Sequence, residues 1–171
     1  NHRVKHFHLG FWIFNAVIIT ILFHKTVFAY FFQDDWFSFS ISNAKSIREF
    51  LALFIPHPGL IYYRPLGMQI PFFLVNNIFG LQVLPFRLAT FILHMINGWL
   101  VYQILKKLNF KQWQIYLGTV IYLTSSVHLT IFYWASTFAF VMAPTFFFSA
   151  FISYLNNQQN RSWLLFTLGL F

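Results

Sequence analysis

The sequence predicts an all-α integral membrane protein, a polytopic helical bundle. Three observations lead there. Hydrophobic residues fill 58% of the 171 positions and charged residues only 8%, against about 25% charged in soluble domains. Mean hydropathy is +0.63. The apolar residues fall in successive runs of about 20, the length a helix needs to cross a hydrocarbon core. The short apolar–polar alternation of a membrane β-barrel is absent.

The first span is predicted over residues 8–31, with Arg3 and Lys5 ahead of it. It is too long for a signal peptide and lacks a small-residue cleavage site. The second covers 85–105 and is followed by Lys106, Lys107 and Lys111; the third covers 113–133. The fourth covers 138–155 and is followed by Arg161. A fifth begins near Trp163 and reaches Phe171 after nine residues, too few to cross a bilayer. The chain also opens on Asn1 rather than Met. Residues 1–171 therefore read as a single transmembrane domain, incomplete at its C-terminus, from a longer protein.

Alternating the spans puts Arg3, Lys5, Lys106, Lys107, Lys111 and Arg161 on one side, six cations with no acid. Such an excess marks the cytoplasmic side. The N-terminus is then cytoplasmic, and the long loop over residues 32–84 faces the exterior or a lumen. The membrane is a bacterial inner or plasma membrane, or the endoplasmic reticulum in a eukaryote. The formal net charge of +8 sits at span ends rather than along a soluble face, so nucleic acid is not an expected partner; the lipid bilayer is. With no cysteine there is neither a disulfide framework nor a thiolate metal site.

Two interfacial helices are expected in the outer loop. Ser46-Ile47-Arg48-Glu49 has the form of a capping box, and Ile47, Phe50, Leu51 and Phe54 then share one apolar face. This helix, over residues 46–55, ends at Pro56 and Pro58 and is predicted to lie flat at the membrane surface. Glu49 is engaged by the cap and is not expected to act as acid or base. A second short segment, over residues 66–79, contains Pro71 and ends at Gly80; it is predicted to lie on the surface or re-enter.

The chain holds only three acids, and Asp34 and Asp35 are adjacent, just past the first span. Carboxylates held at a membrane face are functional candidates by default. Arg64, in Tyr62-Tyr63-Arg64-Pro65-Leu66, carries a permanent charge suited to bidentate binding of phosphate or carboxylate. Arg87 stands at the start of the second span, two residues after Pro85. Arg87, Thr90, His94 and Asn97 recur at steps of three and four and share a helix face. Inter-helix hydrogen bonding, with Gly98 allowing close approach, is the favoured role for Thr90, His94 and Asn97. His57 lies in the outer loop, and His128 is expected near the outer end of the third span. No H-x-x-x-H or H-E-x-x-H spacing among these residues supports a metal site. A haem between His94 and His128 is weak, because one is expected near mid-membrane and the other near the surface. P-loop, Rossmann and Gly-x-Ser-x-Gly patterns are absent.

Taken in order, these residues resemble the GT-C class of membrane glycosyltransferases. The likeness is to protein O-mannosyltransferases, including the transmembrane branch with tetratricopeptide repeats, and to lipid A aminoarabinose transferases. It rests on Asp34-Asp35 after the first span, two interfacial helices, and Pro85-Phe86-Arg87-Leu88 opening the second. Tyr63-Arg64-Pro65-Leu66 resembles the Tyr-Arg-Pro-Leu of the tetratricopeptide branch. Val127-His128-Leu129 with Trp134-Ala135 resembles its His-Val-Glu-Ala-Val-Ala-Trp stretch. Thr130 stands where that stretch often carries an acid. The resemblance implies transfer of a sugar from a polyprenyl-phosphate donor to a hydroxyl of a protein or glycolipid acceptor, on the outer face. Asp34 and Asp35 are the implied catalytic carboxylates, with Asp34 as base and Asp35 as ligand of a divalent metal ion or as cap. Arg64 and Arg87 are the implied donor-phosphate contacts. His57, His128 and Tyr63 are implied as further substrate or metal contacts.

Two other classes remain open. A transporter or flippase needs polar residues reaching both membrane faces, whereas here the chemistry-bearing residues crowd on one. A non-catalytic membrane scaffold makes the acidic pair and Arg64 incidental.

Overall fold

A computed structural model describes residues 2–56 and 63–170, with side chains from residue 8 onward. Every regular element among the described residues is helical. Four stretches are long and apolar enough to cross a membrane: His8–Val27, Val83–Lys107, Gln112–Tyr133 and Ala135–Leu155.

Helix α1 (His2–Val27) ends four residues before the predicted boundary of the first span. Its last turn carries Lys25, a cation favourable at the negative end of a helix dipole. Lys25 is one more cation at the end of α1 opposite Arg3 and Lys5. Among the described residues, the loop that follows holds three short helices where two were expected. The unexpected one is α2 (Asp34–Ile41), whose first turn contains both acids of the pair, the favourable placement for negative charge. Gln33 ahead of it has φ 48° and ψ −119°, a conformation that costs a non-glycine residue about 1–3 kcal/mol.

Helix α3 (Ile47–Ala52) stops three residues short of the predicted end. The Ser46 Oγ accepts from the Glu49 N–H at 3.2 Å, as a capping box requires, but Glu49 Oε2 accepts from the Lys45 N–H at 2.8 Å, one residue earlier than the motif implies. Phe50 packs on Phe73 of the next helix, with ring centroids 5.0 Å apart. Ile47 and Leu51 stay exposed.

The second loop segment is one continuous unit: a π-helical turn, Pro65–Gln69, leading into α4 (Ile70–Phe79). Pro71 has no N–H to offer the Gly67 carbonyl. The Ile70 N–H instead reaches Pro65 O, which widens the turn. Gly80, at φ 63°, closes α4 by donating to Asn76 O at 3.0 Å, as a left-handed C-terminal glycine does.

Helix α5 (Val83–Lys107) is the centre of the bundle, packed against α6 (Gln112–Thr124) and α8 (Ala139–Leu155). The third span is not one helix. It breaks at Ser125, which is extended, passes through a 3-10 turn at Ser126–His128, and resumes as α7 (Leu129–Tyr133). A second 3-10 turn, Ala135–Thr137, leads into α8. Helix α9 (Gln159–Gly169) begins four residues before the predicted fifth span and lies along α8.

One core cluster, with Phe31, Phe39, Phe72, Phe86 and Phe138, sits at the end where α1 finishes and α5 starts, here termed the loop end. It fastens α2 and α4 onto the bundle. A second, with Ile19, Phe23, Leu123 and Phe132, lies deeper, between α1 and the broken span. The predicted polar stripe faces inward: Arg87, Thr90, His94 and Asn97 are all buried. Gly98 meets the Leu123 side chain so closely that a Cβ there would overlap it, the close approach expected of this glycine.

Candidate functional site

At the loop end the chain leaves helical geometry in several places, and each break frees backbone groups that need partners where water is excluded. Two charged side chains supply them. The Asp35 carboxylate is fully buried. Its Oδ1 accepts from both the N–H and the hydroxyl of Ser136, each at 2.7 Å, and its Oδ2 accepts from the Phe32 N–H at 3.2 Å. It thereby caps the 3-10 turn before α8 from a different element, as an N-cap residue does within its own helix. Ser38 joins the junction, with Oγ 3.0 Å from Ser136 Oγ.

Arg87 does the complementary task. Only 1% exposed, it donates from Nη1 to Phe132 O at 3.0 Å and from Nη2 to Ala29 O at 2.9 Å. Both carbonyls lie at helix ends, where no intrahelical donor reaches them, and a cation is favourable there. The Asp35 charge acts on Arg87 electrostatically, without an ion pair among the described residues. Asp35 and Arg87 therefore brace one junction that joins α1, α2, α7 and the entry to α8.

The other members of the predicted set are arranged differently. Asp34 is exposed on the first turn of α2, and no side-chain hydrogen bond engages its carboxylate among the described residues. Arg64 is half-buried, with its guanidinium 5.0 Å from the centre of the Phe140 ring, within cation–π range. It lines a small cavity of about 170 Å³ with Leu66, Gly67, Phe140, Phe146 and Leu170. That cavity is formed by the π-turn, α8 and the tip of α9, and Arg87 does not reach it. Tyr63, next to Arg64, lines a separate cavity. His57 lies outside the described residues.

His94 and His128 contradict the depth assigned to them from the sequence. Their ring centroids are 4.5 Å apart, because the break at Ser125 returns His128 toward the bundle axis. His94 Nε2 is 3.0 Å from Leu123 O, the carbonyl exposed by the break, and Tyr122 stacks on His94 at 5.5 Å. The pair touches edge to face, so no planar group separates the two imidazoles. Below it, Asn97 donates to Val141 O at 2.7 Å and accepts from the Thr145 hydroxyl at 2.8 Å, the inter-helix bonding expected of the stripe.

Sequence reasoning missed Ser136 and Gln69. Ser136-Thr137 was the available signal: two hydroxyl residues together just before an apolar span. Gln69 gave none, being one amide in an apolar segment. Among the described residues no three His, Asp or Glu side chains gather as a metal site would need. Both Asp35 oxygens already accept from protein donors.

No protein-family model, characterised protein or solved structure matches this chain.

Proposed function

We propose that the protein is a membrane glycosyltransferase that moves a sugar from a polyprenyl-phosphate donor to a hydroxyl acceptor at the loop end. One observation carries the reading: Arg64 lines an apolar cavity between the π-turn and α8, at the same end of the bundle as the exposed Asp34. An amphiphile with a phosphate head and an isoprenoid tail needs that combination, a cation beside a hydrocarbon wall. Arg64 takes the phosphate, and Phe140 and Phe146 take the first tail units. In transfer, the acceptor hydroxyl oxygen bonds to the anomeric carbon while the bond from that carbon to the phosphate oxygen breaks. The phosphate leaves with the electron pair, stabilised by Arg64, and Asp34 takes the hydroxyl proton. Asp35 and Arg87 act as positioning residues that fix α2, and with it Asp34. The loop end faces the exterior or lumen and the N-terminus is cytoplasmic, on the charge asymmetry of the span ends.

The experiment is sugar transfer from polyprenyl-phosphate-linked sugar by membranes containing the protein. Asp34→Asn is expected to lower turnover by about 10²–10⁴-fold with expression unchanged. Arg64→Lys is expected chiefly to raise the donor concentration needed. Near-normal turnover by Asp34→Asn would sink the assignment. An impermeant thiol reagent should label a cysteine placed at exposed Asn43 and not one at Gln158; the reverse would put the site on the wrong face.

A further inference from the structure

Helix α8 runs through Pro144 without interruption, although proline has no N–H for the Phe140 carbonyl and its ring crowds that carbonyl. The next carbonyl, Val141 O, is drawn on by side chains. It accepts from Asn97 Nδ2 at 2.7 Å and from the Thr145 hydroxyl at 3.1 Å. A missing rung beside one shared with side chains is where a helix bends. Membrane helices keep such prolines where neighbouring groups support the weakened turn. Here Asn97 of α5, fully buried, grips α8 on both sides of the proline: at Val141 O before it, and at the Thr145 hydroxyl, 2.8 Å from Asn97 Oδ1, after it. That hydroxyl has one hydrogen and two acceptors in reach, so it keeps a partner when the grip opens.

The two halves of α8 carry different walls of the Arg64 cavity. The π-turn sits on the half before the proline: Arg64 lies over the Phe140 ring at 5.0 Å, and a Cβ at Gly67 would overlap Ala139. That half is fixed to the bundle by Phe138 on Phe86 and by the Ser136–Asp35 bonds just ahead of it. Helix α9 sits on the half after the proline: Phe166 packs on Phe147 at 5.5 Å, Ser162 Oγ donates to Ala150 O at 2.9 Å, and a Cβ at Gly169 would overlap Phe147. Phe140 and Ala143 line the cavity from the fixed half, and Phe146 and the tip of α9 line it from the other.

We infer that α8 is hinged at Pro144: its second half swings with α9 as one arm, latched by Asn97 through Thr145, and the swing sets how far the Arg64 cavity is open. Further along the arm, Phe148 meets Tyr122 edge to face at 5.9 Å and Lys107 reaches the exposed Asn156, contacts that tolerate a small shift. What the cavity holds rests on the transferase reading; the hinge does not.

The test is a pulsed electron–electron distance measurement on the protein in nanodiscs. The chain has no cysteine of its own, so Trp113→Cys and Tyr154→Cys, at exposed positions in the first turn of α6 and the last turn of α8, carry the spin labels. A bend of about 10° at Pro144 moves the end of α8 by about 3 Å. Thr145→Val keeps the shape of the side chain and removes the hydroxyl; it is expected to shift or broaden the distance distribution by about that amount. Thr145→Ser, which keeps the hydroxyl, is expected to match the parent. Adding Pro144→Ala to Thr145→Val, which restores the missing rung, is expected to narrow the distribution again. A Thr145→Val distribution identical to the parent's, or one that stays broad with Pro144→Ala, would overturn the hinge. Farnesyl phosphate probes the cavity, and a saturable shift of the parent distribution that Pro144→Ala abolishes is expected. No shift with the probe, while the Thr145→Val response is intact, would keep the hinge and count against the phosphate role of Arg64.

Discussion

Asp34 and Asp35 are neighbours in sequence and opposites in the fold, and so in their way are Arg64 and Arg87. Asp35 and Arg87 lie in a closed junction, where backbone atoms of Ala29, Phe32, Phe132 and Ser136 bond both Asp35 oxygens and both terminal nitrogens of Arg87. Asp34 and Arg64 lie outside that junction, one exposed on α2 and the other half-buried against the Phe140 ring, where it lines a cavity. The difference follows from where the helices break. At membrane depth, irregular backbone is tolerated only when protein groups satisfy it, so a charge beside a break is drawn into bracing it. Asp34, one residue further from that junction, has no break to brace and stays exposed. Residue type and proximity to the membrane surface do not separate the two cases; the position of the breaks does.

The largest effect that tests this contrast is on stability. Asp35→Ala removes an acceptor of three hydrogen bonds and orphans the buried Ser136 N–H; Arg87→Met leaves the Ala29 and Phe132 carbonyls without donors. Each is expected to lower unfolding free energy by about 3–5 kcal/mol. Asp34→Ala should stay within about 0.5 kcal/mol of the parent. Thermal unfolding of the three variants in one detergent measures this. Equal losses at Asp34 and Asp35 would erase the distinction between junction and flank.

Much of the fold was legible because the signals were long. Four apolar runs of helical length marked the spanning helices, and steps of three and four along the second span marked the buried face of α5. Ser46 as a cap and Gly80 as a stop were legible from local chemistry. The breaks were not. Nothing in Thr124-Ser125-Ser126 forbids a helix, and the turn there is favoured by tertiary partners, chiefly His94 meeting Leu123 O. That one break misplaced His128, and with it the judgement that the two histidines lie far apart. Helix α2 was hidden for a related reason: Asp34 and Asp35 were read as the boundary of a span, although acids in a first turn also open a helix. The candidate site was legible as a set of residues at one end. Which of them are buried in the junction and which stay at its edge depended on the breaks.

A middle-sized effect sharpens the contrast inside the bundle. Gly98 and Gly10 are both glycines in helices long and apolar enough to cross a membrane, yet a Cβ at Gly98 would overlap Leu123, while nothing lies within 4 Å of one at Gly10. Leu123 is fully buried and its carbonyl holds His94, so it has little room to yield. Gly98→Ala is expected to cost about 1–3 kcal/mol, as overpacking does. Gly10→Ala should be neutral or gain up to about 1 kcal/mol from helix propensity. A Gly98→Ala protein as stable as its parent would mean that the α5–α6 contact is looser than described.

The smallest effect lies furthest from the junction. Helix α3 has no fully buried residue, and it depends on the Ser46 cap and on the Phe50–Phe73 contact. Removal of such a cap costs about 1 kcal/mol, enough to fray so short a helix and too little to reach the spans. Ser46→Ala should therefore raise amide hydrogen exchange at Ile47–Ala52 severalfold while leaving exchange in α5 and α8 unchanged. The contrast can be pushed further, because Ile47 and Leu51 present an exposed apolar face suited to resting on a bilayer. If lipid supports that face, the exchange difference between Ser46→Ala and parent should shrink on moving from detergent to nanodiscs. A difference that is the same in both, or that spreads into α5, would mean that α3 is held by the bundle rather than by its own cap and the membrane surface.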